Sequence, residues 1–349
     1  MNAISKWVTA LALLSGPVVA NAQQYTLTDL PFSPTGISSN GEVTGDSNSN
    51  GYPVVYKDGI TTELGFPGAA YDVNASGQVV GYGICYFCGI SAFLYSYGAV
   101  TYLAGTDGIA YGINDSGTVV GADTINGSST PFIYQNGSLT QLPFSGSAQS
   151  INNSGQVAGY TDAGAYIYSN GNVTVLGTPS GTFSYSSSGY GINNLGQVVG
   201  WSTNAGGNLA QGFFYSNGKM NSVGFLKGTY DGNNVLYAVN DSGQAVGNAN
   251  NTSGSANVAL LYANGKLFNL NTLTTGPLSA YVTLTVATGI NDLGQIIADG
   301  IDSRTGDNNG YLLTPVSSVP VPATAWLLLS GLVGVGLVAH RRRVEGVAG

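Results

Sequence analysis

The chain has 349 residues, of which only 7% are charged while 53 are glycine, so its polar surface must come mainly from uncharged side chains. With 43% hydrophobic residues and 22 tyrosines it can bury a core, which excludes a disordered chain. Residues 23–318 hold 16 of the 17 acidic residues and five basic ones, a net charge of −11. We expect no nucleic-acid partner, because an acidic surface repels phosphate backbones.

The N-terminus is typical of a signal peptide. Lys6 supplies a positive charge, and an apolar stretch follows at 8–19. Ala20 and Ala22 are small residues at the two positions that signal peptidase reads, which predicts cleavage before Gln23. A membrane anchor is the alternative, but the apolar stretch is too short to span a bilayer.

A nine-residue phrase recurs through the middle of the chain. It consists of an aliphatic residue, usually Asn, two variable residues, Gly, usually Gln, a small apolar pair and a final Gly. The phrase occurs at 73–81, 113–121, 151–159, 192–200 and 239–247, with degenerate copies at 37–45 and 290–298. Repetition at a period of about 40 residues is typical of propellers, solenoids and related arrays.

Each phrase is followed by an apolar run such as Ala92–Tyr95 and then by a short turn such as Asn136-Gly137. Asn-Gly or Asp-Gly between apolar runs predicts a β-hairpin, because its turn requires positive φ at both central residues. Each repeat therefore yields four short strands. The third is apolar on both faces, as expected where sheets stack face to face in a β-propeller.

The ends of the array predict closure. The seventh repeat reaches its third strand at Tyr311–Leu313 and lacks a fourth, whereas Tyr25–Leu30 resembles a fourth strand without the preceding three. We predict an all-β fold, a propeller of seven four-stranded blades that the N-terminal strand closes. Six or eight blades are the near alternatives, and a linear β-solenoid is the rival fold.

The repeats resemble the HAF family of bacterial extracellular repeat proteins, named for a His-Ala-Phe triplet. Ser91-Ala92-Phe93 is the nearest match to that triplet and lacks the His, whereas Ile192–Gly200 matches the downstream phrase well. The resemblance covers about residues 36–314. It implies an extracellular location and a repeated architecture, without an assigned reaction.

Candidate catalytic chemistry is limited by the single histidine, His340, which lies near the C-terminus. The region before the tail therefore holds no Ser-His-Asp triad, Cys-His pair or His-ligated zinc site. We expect no catalytic, cofactor-binding or metal-binding residues and no cofactor. A carboxylate-based reaction stays open, because a pair of carboxylates can hydrolyse glycosides without histidine.

Several aspartates recur at defined positions. Asp115, Asp241 and Asp292 share one repeat position, which other repeats fill with Asn153 and Asn194. We interpret them as turn formers, because Asp and Asn both tolerate left-handed backbone and cap their own turns. Calcium binding is the alternative, and near the last blade it would involve Asp299, Asp302 and Asp307.

Two cysteines, Cys85 and Cys88, are separated by two residues. In the cytosol this spacing would indicate redox chemistry or half of a zinc site. Outside the cell it predicts a local disulfide that closes the loop between the second and third strands of the second blade.

The loops between second and third strands, and those between blades, vary in length and lie on one face, which we call the loop face. The opposite turn face carries the short Asn-x-x-Gly and Asn-Gly turns. Function concentrates in variable loops on rigid scaffolds. Candidate binding aromatics in these loops are Tyr86, Phe87, Phe183, Tyr185, Trp201, Phe225 and Tyr230. Packing of several of them beneath their own loops is the alternative.

The C-terminus carries a second predicted targeting signal. A proline-containing motif precedes an apolar segment at 323–339, and a basic cluster follows it. The motif is Val319, Pro320, Val321, Pro322 and Ala323, and the cluster is Arg341, Arg342 and Arg343. The segment is at the lower limit for a transmembrane helix, and arginines hold such an end in the cytoplasm. An ordinary anchor without processing is the alternative reading.

This order of features resembles the PEP-CTERM sorting tail of Gram-negative bacteria, with Val321 in place of the usual Glu. The resemblance implies recognition by an exosortase, removal of the tail and delivery to the surface or extracellular matrix. The predicted organisation is a signal peptide at 1–22, a propeller at 23–316 and a sorting tail at 317–349.

Taken together, these features predict a secreted, surface-sorted protein processed by signal peptidase and exosortase, with a transient membrane anchor. We expect a non-enzymatic binding or matrix module that contacts extracellular polysaccharide or surface proteins. The alternatives are a carboxylate-based glycosidase or lyase acting on that polysaccharide, and a purely structural spacer.

Overall fold

A computed structural model describes residues 23–85, 89–103, 107–178, 186–203, 209–228, 230–251, 253–254 and 256–316. The predicted signal peptide and the sorting tail with its membrane segment lie outside these residues and stay predictions. Within the described part, no helix is long and apolar enough to cross a membrane.

The described residues form seven four-stranded antiparallel blades around one channel, as the repeats predict. The chain begins with β1 (Tyr25–Leu30), which belongs to the last blade. Blade 1 contains β2 (Phe32–Ile37), β3 (Val43–Ser47), β4 (Pro53–Lys57) and β5 (Ile60–Glu63). Blade 2 contains β6 (Gly68–Val73), β7 (Val79–Cys85), β8 (Gly89–Ser96) and β9 (Ala99–Tyr102). Blade 3 contains β10 (Ile109–Ile113), β11 (Val119–Ile125), β12 (Ser128–Gln135) and β13 (Ser138–Gln141).

The later blades repeat this order. Blade 4 contains β14 (Gly146–Ile151), β15 (Val157–Thr161), β16 (Gly164–Ser169) and β17 (Asn172–Val175). Blade 5 contains β18 (Ser187–Ile192), β19 (Val198–Thr203), β20 (Ala210–Ser216) and β21 (Lys219–Ser222). Blade 6 contains β22 (Asn234–Val239), β23 (Ala245–Asn250), β24 (Asn257–Ala263) and β25 (Lys266–Asn269). Blade 7 contains β27 (Val282–Ile290), β28 (Ile296–Asp302), β29 (Asn308–Pro315) and β1.

The N-terminal strand closes the ring, as predicted. β1 pairs antiparallel with β29 over six residue pairs, from Tyr25 opposite Pro315 to Leu30 opposite Gly310. A short strand that the sequence did not predict, β26 (Thr274–Thr275), pairs parallel with β1 as a fifth strand. It lies between two 3-10 helices, Leu270–Leu273 and Pro277–Ala280. The outer edge of β1 is thus partly covered.

Hairpin turns join the third and fourth strands as expected. Asn136, Asn170, Asn217 and Asn264 have φ near +50°, and a glycine with positive φ follows each. In blade 2, Tyr97 occupies the same position with a φ of 50°. The same chemistry also joins β11 to β12 through Asn126-Gly127, where the sequence suggested a longer variable loop.

The core lies between neighbouring blades. One cluster joins Val80 and Ala92 of blade 2 to Ala110, Val119 and Phe132 of blade 3. A large third-strand side chain is fully buried in several blades, each contributing about 1.5–3 kcal/mol of burial. Examples are Phe93, Phe132, Tyr166, Phe213 and Leu260. Apolar third strands therefore hold the blades together, as the two-sided apolar pattern indicated.

Candidate functional site

A β-bulge interrupts the first strand of every blade and determines what faces the channel. In blade 3, Ala110 pairs with Gly121 and Gly112 with Val120, so Tyr111 has no partner. The same shift occurs in all seven blades. The unpaired residues, which we call the bulge ring, are Thr35, Tyr71, Tyr111, Gln149, Tyr190, Tyr237 and Thr288. A bulge re-aims the side chain that it carries.

The final glycine of the repeat phrase accommodates the bulge. A Cβ placed on Gly81 would lie 1.9 Å from the carbonyl oxygen of Ala69, and one on Gly121 would lie 2.1 Å from that of Ile109. Only glycine permits such an approach between first and second strands. Blade 7 has Ala298 instead, and its first strand carries a second bulge between Leu284 and Val286.

The bulge ring lines a central cavity of about 260 Å³ to which every blade contributes, and turn-face residues that include Asp115, Asp241 and Asp292 line the same cavity. Four of its seven members are tyrosines, and the other three are neutral and polar. The ring centroids of Tyr71 and Tyr111 are 5.6 Å apart, and those of Tyr190 and Tyr237 are 5.7 Å apart. The cavity wall thus presents two pairs of aromatic rings on adjacent blades.

Second-strand residues extend the ring toward the loop face. The indole N–H of Trp201 donates to the Tyr190 hydroxyl at 2.9 Å, and the Tyr237 hydroxyl donates to Asn248 at 3.1 Å. Tyr82 lies 6.2 Å from Tyr71 between ring centroids. We call the loop-face opening of the channel the mouth. On one side of it, hydrogen bonds fix the hydroxyls of Tyr190 and Tyr237.

The other side of the mouth keeps free hydroxyls. The hydroxyls of Tyr71 and Tyr111 have no hydrogen-bond partner among the described residues, although both side chains are half-buried. The pKa of Tyr71 is raised to about 12, mainly by burial and in smaller part by the neighbouring ionisable groups of Tyr82, Tyr111 and Asp46. Both hydroxyls stay protonated and are able to donate and accept hydrogen bonds.

Three carboxylates on adjacent blades lie near the bulge ring: Asp46 and Asp299 on second strands, and Asp72 on a first strand, where it lines the central cavity. Burial raises the pKa of Asp72 to about 7, although both its oxygens accept backbone N–H groups, from Val73 at 2.9 Å and Ile113 at 3.0 Å. Burial likewise raises the pKa of Asp46 to about 6, opposed by the N–H of Ala70. The pKa of Asp299 is also raised by burial, and its carboxylate accepts a bond from Ser33.

At the turn face, the recurring Asn of the phrase links the blades. Its side-chain amide donates to the backbone carbonyl of the corresponding residue in the next blade, at 2.8–3.1 Å. The donors are Asn74, Asn114, Asn152, Asn193, Asn240 and Asn291. Blade 1 has Ser38 there, and Asn40 donates to Ala75 of blade 2 instead.

The Asp or Asn that follows forms a second belt. The carboxylate of Asp115 accepts the backbone N–H of Ala75, and the side-chain oxygen of Asn153 accepts that of Asp115. Asn194, Asp241 and Asp292 continue the series. These residues lie in turns, as interpreted, but their side chains also tie one blade to the next.

The predicted loop aromatics divide into three groups. Tyr86, Phe87, Phe183 and Tyr185 lie outside the described residues. Trp201 belongs to β19 rather than to a loop, so the loop assignment was wrong for this residue, and it reaches the bulge ring. Phe225 is 38% exposed, whereas Tyr230 packs against the buried cluster of Ala249, Val258 and Leu260.

The cysteine and calcium predictions have different outcomes. Cys85 ends β7 and is disulfide-bonded, while Cys88 lies outside the described residues, so the pairing stays a prediction. Asp302 pairs with Arg304 and Asp299 with Ser33. Within the described part of the chain, no three His, Cys, Asp or Glu side chains are grouped to share a metal ion.

Sequence reasoning missed the bulge ring, although a signal for it exists. Tyr recurs three residues before the Asn of the phrase, as Tyr71, Tyr111, Tyr190 and Tyr237. In a regular strand successive side chains point to opposite faces of the sheet, so this Tyr would face a neighbouring blade or the channel according to its position alone. The final Gly of the phrase, which pairs with the residue before the Tyr, is the recurring signal of the bulge.

No family model and no curated protein matches the chain. Nineteen chains of solved structures are similar to it. One is the extracellular domain of a hybrid two-component system from B. thetaiotaomicron, 15% identical with a TM-score of 0.46, over 85% of this chain and 40% of that one. Another is the PQQ-bound aldose sugar dehydrogenase from Streptomyces coelicolor, 10% identical with a TM-score of 0.39, over 84% and 99%. Neither similarity assigns a function to this chain.

Proposed function

We propose that this chain is a secreted, non-enzymatic binding module that holds neutral extracellular polysaccharide in its central channel. The observation that carries the proposal is the bulge ring, which directs four tyrosines and three neutral polar side chains into one cavity. Aromatic faces cover the apolar faces of sugar rings, while hydroxyl and amide groups pair with sugar hydroxyls.

The free hydroxyls strengthen this proposal. Tyr71 and Tyr111 have no hydrogen-bond partner among the described residues, so a ligand hydroxyl can pair with them without breaking a bond of the protein. The net charge of −11 on residues 23–318, with Asp115, Asp241 and Asp292 lining the cavity, favours a neutral polysaccharide over a polyanion.

Affinity electrophoresis of residues 23–316 through gels containing purified matrix polysaccharide tests the proposal. We expect the wild-type domain to be retarded, and the double variant Tyr71→Ala, Tyr111→Ala to lose about tenfold in affinity, equivalent to about 1.4 kcal/mol. Tyr97→Asn is the matched control, because Tyr97 is 95% exposed in a hairpin of the turn face. Equal retardation of all three proteins, or none of the wild type, would refute the proposal.

Localisation at the cell surface is part of the same proposal. It rests on the signal peptide before Gln23 and on the tail with Pro320, Pro322 and the arginine cluster. Changing both prolines to Ala should trap the protein in the periplasm if an exosortase recognises them. Unchanged surface delivery would show that the tail is an ordinary anchor.

The alternative is a carboxylate-based glycosidase or lyase. The raised pKa values of Asp46 and Asp72 favour it, because such carboxyls can act as general acids near neutral pH. Against it, both oxygens of Asp72 are engaged by backbone N–H groups. Release of reducing ends or unsaturated products from the polysaccharide, lost in Asp46→Asn, would establish the enzyme.

A further inference from the structure

Six of the seven blade junctions are filled at the turn face by a side chain that the repeat supplies. The Gln of the phrase accepts a hydrogen bond from the Asn of its own blade and lies over the central Gly of the next blade. A Cβ placed on Gly117 would lie 3.2 Å from Gln78, and one on Gly196 would lie 3.3 Å from Gln156. Gln197, Gln244, Gln295 and, in blade 1, Glu42 fill the remaining positions.

The junction between blades 3 and 4 is different. Blade 3 has Thr118 at the Gln position, and a Cβ placed on Gly155 of blade 4 would meet nothing within 4 Å among the described residues. Thr118 is buried, and its N–H donates to Asn114 as the Gln N–H does in other blades. The backbone is therefore unchanged, and only the long amide side chain is absent.

A pocket of about 370 Å³ lies beside Thr118, and a Gln side chain at this position would occupy part of it. Amides of Gln135 and Asn170 line it with the hydroxyl of Thr118, and the ring of Tyr168 forms an apolar wall. Asn153 also lines it, but its amide is already bonded to Asp115. None of the lining residues is Asp, Glu, Lys, Arg or His. The volume is at the lower end of the range for small-molecule sites.

We propose that this gap is a second binding site, on the turn face, for a neutral sugar residue of about hexose size. The amides and hydroxyls pair with the sugar's hydroxyl groups, while Tyr168 covers its less polar face. Because no charged side chain lines the pocket, a charged ligand would lose its hydration without a compensating partner. The pocket contains no bulge-ring residue but shares Asn114, Ile151 and Asn153 with the lining of the central cavity, so the two sites are followed with separate reporters.

Two substitutions test the proposal by exchanging the repeat residue. Thr118→Gln restores the side chain found in the other blades and should close the part of the pocket that lies over Gly155. Gln78→Thr is the reciprocal change and should open an equivalent gap over Gly117. The domain 23–316 labelled with ¹⁵N is titrated with D-glucose, D-galactose and N-acetyl-D-glucosamine. The readouts are the backbone amides of Gly155 and Gly171, with the Trp201 indole N–H reporting the bulge ring.

We expect at least one sugar to shift the Gly155 and Gly171 amides saturably in the wild-type domain. Thr118→Gln should abolish these shifts, leave the Trp201 response unchanged and melt at or above the wild-type temperature. Gln78→Thr should add a saturable shift at Gly117. The proposal is overturned if no sugar shifts Gly155, or if Thr118→Gln responds as the wild type does. Shifts of Trp201 alone would support the bulge-ring site and refute this one.

Discussion

The side-chain amide of Asn291 donates a hydrogen bond to the backbone carbonyl of Ser38 at 3.0 Å, joining the last blade to the first across 253 positions of sequence. The bond completes a belt in which six asparagines each hold the next blade. The pairing of β1 with β29 closes the same junction within the sheet. Ring closure therefore depends on two separate sets of contacts.

Removing one belt asparagine should destabilise the whole domain. Asn152 is buried, donates to Gln156 and Asn193, and accepts two backbone N–H groups of its own turn. Asn152→Ala leaves these groups unpaired, so we expect the free energy of unfolding to fall by about 1–3 kcal/mol. Urea denaturation measures it, with the exposed Asn221→Ala as control. Equal stability of the two variants would show that the belt contributes nothing.

The closing strand should contribute through its buried side chains. Leu30 is 1% exposed in β1, whereas Thr28 on the same strand is exposed. Leu30→Ala should cost about 2–5 kcal/mol because it leaves a cavity between blades 7 and 1. Thr28→Ala should stay within about 0.5 kcal/mol of the wild type. A Leu30→Ala domain as stable as the Thr28→Ala domain in urea would mean that β1 is not needed for closure.

Stability should fall as the pH rises toward neutrality. Asp46 and Asp72 have raised pKa values of about 6 and about 7 in the folded protein, so the folded state binds more protons than the unfolded state above the ordinary value of 3.8. The free energy of unfolding therefore decreases between about pH 4 and about pH 7. Melting temperatures across this range should decline in the wild type.

Asp46→Asn should make this decline shallower, because Asn cannot ionise and its oxygen still accepts the Ala70 N–H. The matched control is Asp162→Asn, in an exposed turn. A melting temperature that rises over this pH range would contradict the assignment of both buried carboxyls. Identical slopes for Asp46→Asn and the control would contradict that of Asp46.

The hairpin turn of blade 2 should be improvable. Tyr97 has a φ of 50° and is 95% exposed, so its side chain gains little from packing while its backbone is left-handed. Tyr97→Asn restores the residue that other blades use at this position and should stabilise the domain by about 0.5–1 kcal/mol. Thermal unfolding measures the gain. A loss of stability would show that Tyr97 has a contact beyond its turn.

The repeat phrase was sufficient to predict the blade count, the hairpins and the closing strand. Asn-Gly turns and a period of about 40 residues are local signals, and Tyr25–Leu30 had no other strand to join. The belts could not be predicted in the same way. Asn74 and Asn114 are 40 positions apart, and the sequence alone does not show that one amide reaches the other blade's carbonyl.

The bulge ring escaped prediction for a related reason. Every repeat carries the same bulge, so the extra residue does not alter the spacing between repeats. Tyr71 and Tyr111 therefore look like ordinary strand residues in the sequence. The sequence directed attention to loop aromatics instead, and of these Trp201 reaches the ring from a strand. Thr118 is visible in the sequence as a departure from the Gln of the repeat, but the pocket beside it depends on how blades 3 and 4 pack.

Trp201 allows the central claim to be tested directly, because it is the only tryptophan between residues 23 and 316 and its indole N–H is bonded to Tyr190 of the bulge ring. Its fluorescence is recorded while oligosaccharides from the matrix polysaccharide are added to the domain. We predict a saturable change in the wild type that is weakened about tenfold in the Tyr71→Ala, Tyr111→Ala variant. Fluorescence that does not change with added oligosaccharide, or changes equally in both proteins, would contradict carbohydrate binding in this channel.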